Sequence, residues 1–286
     1  MIDTLTDKWI KYTEVNNSSF EILNSGQVSV VIFKDFLKYP DQLRKFIDEL
    51  KFTISCLTSD DGKPGKTYHF NPALNNIHAR SLLEVISKTF GCDGIGCPFY
   101  NINCFNGDMI SHYNYPHLDA NPIHTNVTIA SNIGLTKNLK GGTGFWSYLG
   151  KTNALDMTEF EITHYRQFLK NQKQISDSIV EQVLKNLDTQ KNFDIPFKWR
   201  QIENEGDWKL EYICPLEYNT LVLYSTLNFH NPYIKPEWYL TEDRVSVASF
   251  FDVDPQSLMY DNTNKSSISK LWKSLRLDTI HNIKFD

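Results

Sequence analysis

Hydrophobic and polar positions give this chain two textures. From Gln27 to Phe33 the run QVSVVIF is β-branched and apolar, which predicts an early strand. Leu43, Phe46, Ile47 and Leu50 then recur at helical spacing and predict a helix over Pro40–Phe52. Ala79, Leu82, Leu83, Val85 and Ile86 make a second such stripe, predicting a helix over Ile77–Phe90. From Pro98 onward the texture changes to short runs separated by turn residues. These predict strands over Tyr100–Phe105, Asn126–Leu135, Gly144–Leu149, Lys209–Cys214, Tyr218–Tyr224 and Arg244–Asp252. Alternation is plainest in Arg244–Phe251, RVSVASFF, and the series predicts an antiparallel sandwich or barrel. Thr158–Leu187 reads as one or two polar helices inserted between strands, and Ile268–Leu275 as a short closing helix.

No repeat, low-complexity stretch or Pro/Gly/Ser linker divides the sequence. The expectation is one domain over 1–286. Residues 1–97 supply an N-terminal strand and supporting helices, and 98–252 a β core with a helical insertion at about 155–205. Residues 253–286 form a C-terminal helical extension. The fold class expected is α+β with a mainly β core.

Composition narrows the partners more than the fold. At 41% hydrophobic and 22% charged residues, the 286-residue chain is an ordinary globular one. A chain this long buries roughly three quarters of its unfolded surface, so its stability needs no metal. A metal here would serve chemistry. With 29 basic and 34 acidic side chains the formal net charge is −5, which lacks the basic field that phosphate backbones demand. No nucleic-acid partner is expected. Apolar runs such as Val28–Phe33 and Thr220–Tyr224 are too short to span a bilayer, and no secretion signal follows Met1. A cytoplasmic location is expected. Cysteine usage agrees: Cys56, Cys92, Cys97, Cys104 and Cys214 contain no CxxC pair and read as structural thiols. A zinc site at Cys92, Cys97 and Cys104 would need a fourth ligand at a plausible spacing.

Chemistry concentrates in three side chains: His117 and Asp119 of His-Leu-Asp, and the distant His230 of Asn228-Phe-His-Asn. Residues two apart in an extended segment point to one side, so His117 and Asp119 present nitrogen and oxygen to one point. A histidine from a returning strand completes two imidazoles and one carboxylate. That set binds iron(II) on one face and leaves coordination positions open. An HxD alone is common by chance. Arg244 and Ser246 raise its weight, because they share one face of the clearest strand. The guanidinium fork can grip a carboxylate twice and the hydroxyl can add a donor, which suits the far end of 2-oxoglutarate.

These residues resemble a known superfamily, the iron(II)/2-oxoglutarate-dependent dioxygenases of the double-stranded β-helix fold. Its signature of HxD, a distant His and then Arg-x-Ser reads here as His117-Leu118-Asp119, His230 and Arg244-Val245-Ser246. Tyr100–Asp108 is similar to the strand and turn before the metal motif in the prolyl-hydroxylase-like branch. Gly141-Gly142-Thr143-Gly144-Phe145 is similar to the turn opening a later barrel strand there. The likeness covers roughly residues 98–252. It implies a jelly-roll, cupin-like barrel with N-terminal flanking helices, iron(II) ligands His117, Asp119 and His230, and a 2-oxoglutarate anchor at Arg244 assisted by Ser246. Many members place a tyrosine on the strand before the metal motif to share that carboxylate. Tyr100 and Asn103 are the candidates here, and they point to opposite faces, so at most one serves. Asp119 favours hydroxylation, since halogenating relatives replace this carboxylate by a small residue.

The activity so implied consumes 2-oxoglutarate and O2, releases succinate and CO2, and hydroxylates an unactivated C–H bond of a small metabolite such as an amino acid or its derivative. Candidate substrate residues are Asn114 and Tyr115, with His112 and Tyr113, before the ligands, and Trp146 and Tyr148 after the Gly-Gly turn. Packing is the blander role for each. Two alternatives stay open: a protein or peptide side chain as substrate, and a non-catalytic cupin-like barrel binding a ligand or metal. The insertion reads as a lid or a homodimer contact.

Overall fold

The apolar run after Gln27 is one arm of a hairpin. The computed structural model describes residues 4–50, 53–54, 66–69, 77, 79–105, 115–119, 128–171 and 203–285. In it β1 (Phe20–Ser25) pairs antiparallel with β2 (Val28–Phe33), from Phe20↔Phe33 to Ser25↔Val28. Strand β2 lacks alternation because both of its faces are covered, as in a central strand between two layers. Val31 and Phe33 join the cluster under the helices, while Val28, Val30 and Ile32 face a second sheet.

Eight strands form the larger sheet. Across it run β1, β2, β9 (Leu221–Ser225), β6 (Ile129–Gly134), β11 (Arg244–Val253), β5 (Gly94–Phe105), β4 (Lys66–His69) and β3 (Thr53–Ile54). A smaller sheet has the order β10 (His230–Tyr233), β7 (Gly142–Tyr148), β8 (Trp208–Pro215). Every named pairing is antiparallel.

Helices cover the outer face of the larger sheet. They are α1 (Thr4–Tyr12), α2 (Pro40–Asp48), α3 (Arg80–Phe90), α5 (Lys265–Ser274) and α6 (Leu277–Ile280). Their buried residues Trp9, Leu43, Phe46, Ile86, Leu271 and Trp272 pack with sheet residues such as Ile102, Ile133, Leu223 and Val247. Another helix, α4 over 159–171, packs Tyr165 and Phe168 against Trp146, Tyr148, Trp208 and Phe229 on the outer face of the smaller sheet. The layers are therefore helices, large sheet, small sheet and α4, an α+β architecture whose site lies between the sheets.

The predicted elements appear with shifted ends. The helix expected over 40–52 stops at Asp48, and the one expected from Ile77 begins at Arg80. Gly91 closes α3 in the left-handed conformation, φ +66°, a common helix stop. The insertion is described as helix only over 159–171, and the rest of the segment expected to be helical lies outside the described residues. Cys92, Cys104 and Cys214 are buried thiols outside any disulfide, and burial pushes Cys92 and Cys214 up to about 12. Cys56 and the side chain of Cys97 lie outside the described residues. Among the described residues no helix is long and apolar enough to cross a membrane.

Candidate metal centre and its cavity

Alternation along two short extended segments sets the centre. In the first, Leu118 joins the apolar cluster beneath α4, while His117 and Asp119 on either side of it line a cavity between the sheets. In the second, Phe229 enters the same cluster and His230 turns into the cavity. The segments are tied by an isolated antiparallel bridge between His117 and His230, and the Asp119 amide donates to the Thr226 carbonyl at 3.1 Å. Strand β10 is itself held in the smaller sheet, with His230 opposite Phe145.

The three donor groups lie within 4.8 Å of one another. His230 Nε2 is 2.9 Å from Asp119 Oδ2, and His117 Nε2 is 3.6 Å from Oδ1. Cis ligands on a six-coordinate metal with bonds of about 2.1 Å lie about 3 Å apart, so the spacing suits one ion. The tautomer of His230 suits it too. Its Nδ1 lies 2.9 Å from the Asn228 carbonyl, which can only accept, so Nδ1 carries the hydrogen and Nε2 offers a lone pair. Asn153 in turn donates to the Asn228 side chain at 2.7 Å. Asp119 Oδ2 is buried without a hydrogen-bond partner, although His230 Nε2 is so close. Two bare acceptors facing each other in a buried place are repulsive until a cation comes between them. An ionised acid and imidazole lone pairs are a donor set that fits iron(II).

Arg244 opens β11 opposite Phe105, and Ser246 follows opposite Asn103. Both are buried and line the same cavity as the triad. Burial pulls the guanidinium's pKa down, Tyr239 and Tyr224 oppose it, and Nε is buried with no hydrogen-bond partner. Among the described residues no carboxylate pairs with Arg244. A buried charge left this way is costly unless an anion arrives to meet it.

The other sequence candidates divide. Asn103 lines the cavity. Tyr100 pairs with Ser249 in the ladder, and its side chain lies outside the described residues. Tyr115 is half-buried, its ring 5.3 Å from Phe168 of α4. Trp146 and Tyr148 are set on the face of β7 away from the cavity, in the cluster with Trp208 and Phe229. Trp146 reaches the site indirectly, donating from Nε1 to Asn231 Oδ1 at 2.8 Å, and Asn231 lines the cavity. His112, Tyr113 and Asn114 lie outside the described residues. Sequence reasoning missed Asn132, Thr143 and Tyr224, all on the cavity wall. Tyr224 had a signal: it shares strand parity with Val222 in LVLYS, a face that turns toward the smaller sheet.

No family model and no curated protein matches the chain. Among solved structures, it is similar to HygX from Streptomyces hygroscopicus with nickel, 2-oxoglutarate and hygromycin B bound. Identity there is 13%, coverage 85% of this chain and 86% of that one, and the TM-score 0.42. It is also similar to a Pseudomonas putida prolyl-4-hydroxylase, at 9% identity, 89% and 100% coverage and TM-score 0.38. A third is an oxidoreductase of the 2OG-Fe(II) oxygenase family from Burkholderia pseudomallei, at 11% identity, 78% and 84% coverage and TM-score 0.39. The likeness is one of outline. The site is assigned from its own atoms.

Proposed function

We propose that this chain is an iron(II)- and 2-oxoglutarate-dependent oxygenase on a double-stranded β-helix, hydroxylating an unactivated C–H bond of a small metabolite such as an amino acid or its derivative. One observation carries the reading: His117, Asp119 and His230 converge within 4.8 Å in a cavity whose wall also holds the buried, unpaired Arg244. A metal-binding barrel without oxygen chemistry has no use for that guanidinium.

His117, Asp119 and His230 would hold iron(II), which when bound supplies oxygen activation and the power to attack a C–H bond. Arg244 binds the far carboxylate of 2-oxoglutarate with its planar fork, and Ser246 adds a hydroxyl on the same strand face. Asn228 fixes the His230 ring through Nδ1 and so keeps Nε2 aimed at the metal. Phe105, Ile234 and Phe250 line the cavity with apolar surface. The reduced thiols of Cys92, Cys104 and Cys214 suit a reducing, cytoplasmic setting.

The test is succinate formation from 2-oxoglutarate with iron(II) and oxygen, across a panel of free amino acids, their derivatives and peptides. Succinate release stimulated by a small substrate is the expected result. Stimulation by peptides alone would move the substrate to a protein side chain, and no succinate anywhere would leave a binding module.

A further inference from the structure

The cavity wall also carries a phenol beside the triad and the guanidinium. Tyr224, on β9, is 2% exposed and lines the cavity. Its ring stands edge-on to His230 with centroids 4.8 Å apart, and Asp119 and Arg244 line the same cavity. Tyr224 therefore shares one cavity with both the metal ligands and the guanidinium.

The direction of its hydrogen bond matters most. Asn132 Nδ2 donates to the Tyr224 oxygen at 3.1 Å, so that oxygen is already an acceptor. A phenol used in this way still has its own hydrogen to give. Among the described residues no acceptor takes it. Arg244 Nε presents a second buried hydrogen without an acceptor on the same cavity. Two unspent donors from different strands, β9 and β11, call for an oxygen anion. A carboxylate has about four lone-pair positions, enough for a guanidinium and a phenol together.

We propose that Tyr224 donates its hydroxyl hydrogen to the far carboxylate of 2-oxoglutarate, sharing that group with Arg244. The proposal rests on the oxygenase reading above. It gives the second anchoring donor to β9, whereas the sequence directed attention to β5. The substitution that isolates it is Tyr224→Phe, which removes one oxygen and keeps the ring against His230.

Calorimetry on the full-length, nickel-loaded protein without oxygen tests it, with wild type, Tyr224→Phe and Arg244→Ala each titrated with 2-oxoglutarate and with pyruvate. Pyruvate keeps the metal-chelating end and lacks the far carboxylate. Nickel affinity and melting temperature are measured for each protein. Tyr224→Phe should weaken 2-oxoglutarate binding about 10- to 100-fold, the loss expected for a hydrogen bond to a charged group, and leave pyruvate and nickel binding as in wild type. Wild-type affinity for 2-oxoglutarate in Tyr224→Phe, with Arg244→Ala impaired, would overturn the proposal and leave the oxygenase reading standing. An equal loss for pyruvate or nickel would also overturn it, by placing Tyr224's effect at the metal end. A wild-type protein that does not bind 2-oxoglutarate, or binds it undiminished by Arg244→Ala, would remove the oxygenase reading and this proposal together.

Discussion

The amide of His117 donates to the carbonyl of His230 at 2.9 Å, and the amide of His230 donates back to the carbonyl of His117 at 3.0 Å. Two candidate ligands from distant parts of the chain are thus registered by main-chain bonds that their side chains do not make. Backbone sets the positions and the imidazoles are left for coordination. His117→Ala should therefore fold, with a circular dichroism spectrum like wild type, and lose iron(II) or nickel affinity by on the order of 100-fold or more. Loss of the folded signal along with the metal would show that the imidazole itself holds the bridge.

Metal itself should stabilise the protein. A ligand at about 100 times its dissociation constant adds about 2.7 kcal/mol to the folded state, which in a chain of this size is a rise of several degrees in melting temperature. Chelator should reverse the rise in wild type and do nothing to Asp119→Ala. An equal rise in Asp119→Ala would put the binding elsewhere.

Arg244 predicts an exchange of stability against binding. Replacing a buried, unpaired charge by an apolar side chain of similar volume removes its desolvation cost. Without ligand, Arg244→Met should be about 1–3 kcal/mol more stable to urea than wild type. The same variant should bind 2-oxoglutarate on the order of 100-fold more weakly, since a buried charge pair is lost. A destabilised variant would mean that Arg244 is already satisfied in the unliganded protein.

The parts of the site read most directly from sequence are those that alternate. Arg244 and Ser246 share one face of β11, with Val245 and Val247 in the core beneath the helices, and the polar and apolar sets separate by parity alone. Strand β10 gives no such signal. It is four residues long and contains Pro232, a residue that argues against a strand. The proline is tolerated because β10 is the edge of the three-stranded sheet, where a missing amide need not break a ladder on both sides. Trp146 and Tyr148 fail for a related reason: spacing shows that they share a face but not which layer that face meets. For Tyr224 parity with Val222 is the one signal, and burial on both faces of β9 removes the polar-apolar alternation that would strengthen it.

Gly141 governs how closely β10 approaches β7. It has φ +80°, and a Cβ there would come within 2.0 Å of the Tyr233 carbonyl oxygen and 2.9 Å of the Trp238 ring. Tyr233 pairs with Gly142 at the far end of the strand that carries His230. Gly141→Ala combines backbone strain with a steric clash and should cost about 2–4 kcal/mol. Nickel affinity should fall as well, because β10 must shift. A stability loss with unchanged nickel affinity would mean that His230 is held by its bridge to His117 alone.

Asp252, near the end of β11, ties the C-terminal helices to the sheet. Its Oδ1 accepts from Thr128 Oγ1 and from the Val253 amide, both at 2.8 Å, and lies 3.3 Å from His281 Nε2. Burial pushes this carboxyl up, but His281, Thr128 and the Val253 amide outweigh burial, so its pKa lies below the ordinary 3.8. A carboxylate with a depressed folded-state pKa contributes stability that is complete above the unfolded value and is lost as pH falls through the folded one. At pH 7, Asp252→Asn should therefore be less stable than wild type by about 1–3 kcal/mol. Urea unfolding at intervals from pH 7 down to pH 3 should show that gap holding until about pH 4 and then closing, as wild type loses what the variant never had. A gap that stays constant to pH 3 would mean that the carboxylate's charge contributes nothing, and that the shape of the side chain alone joins Thr128 to the closing helices.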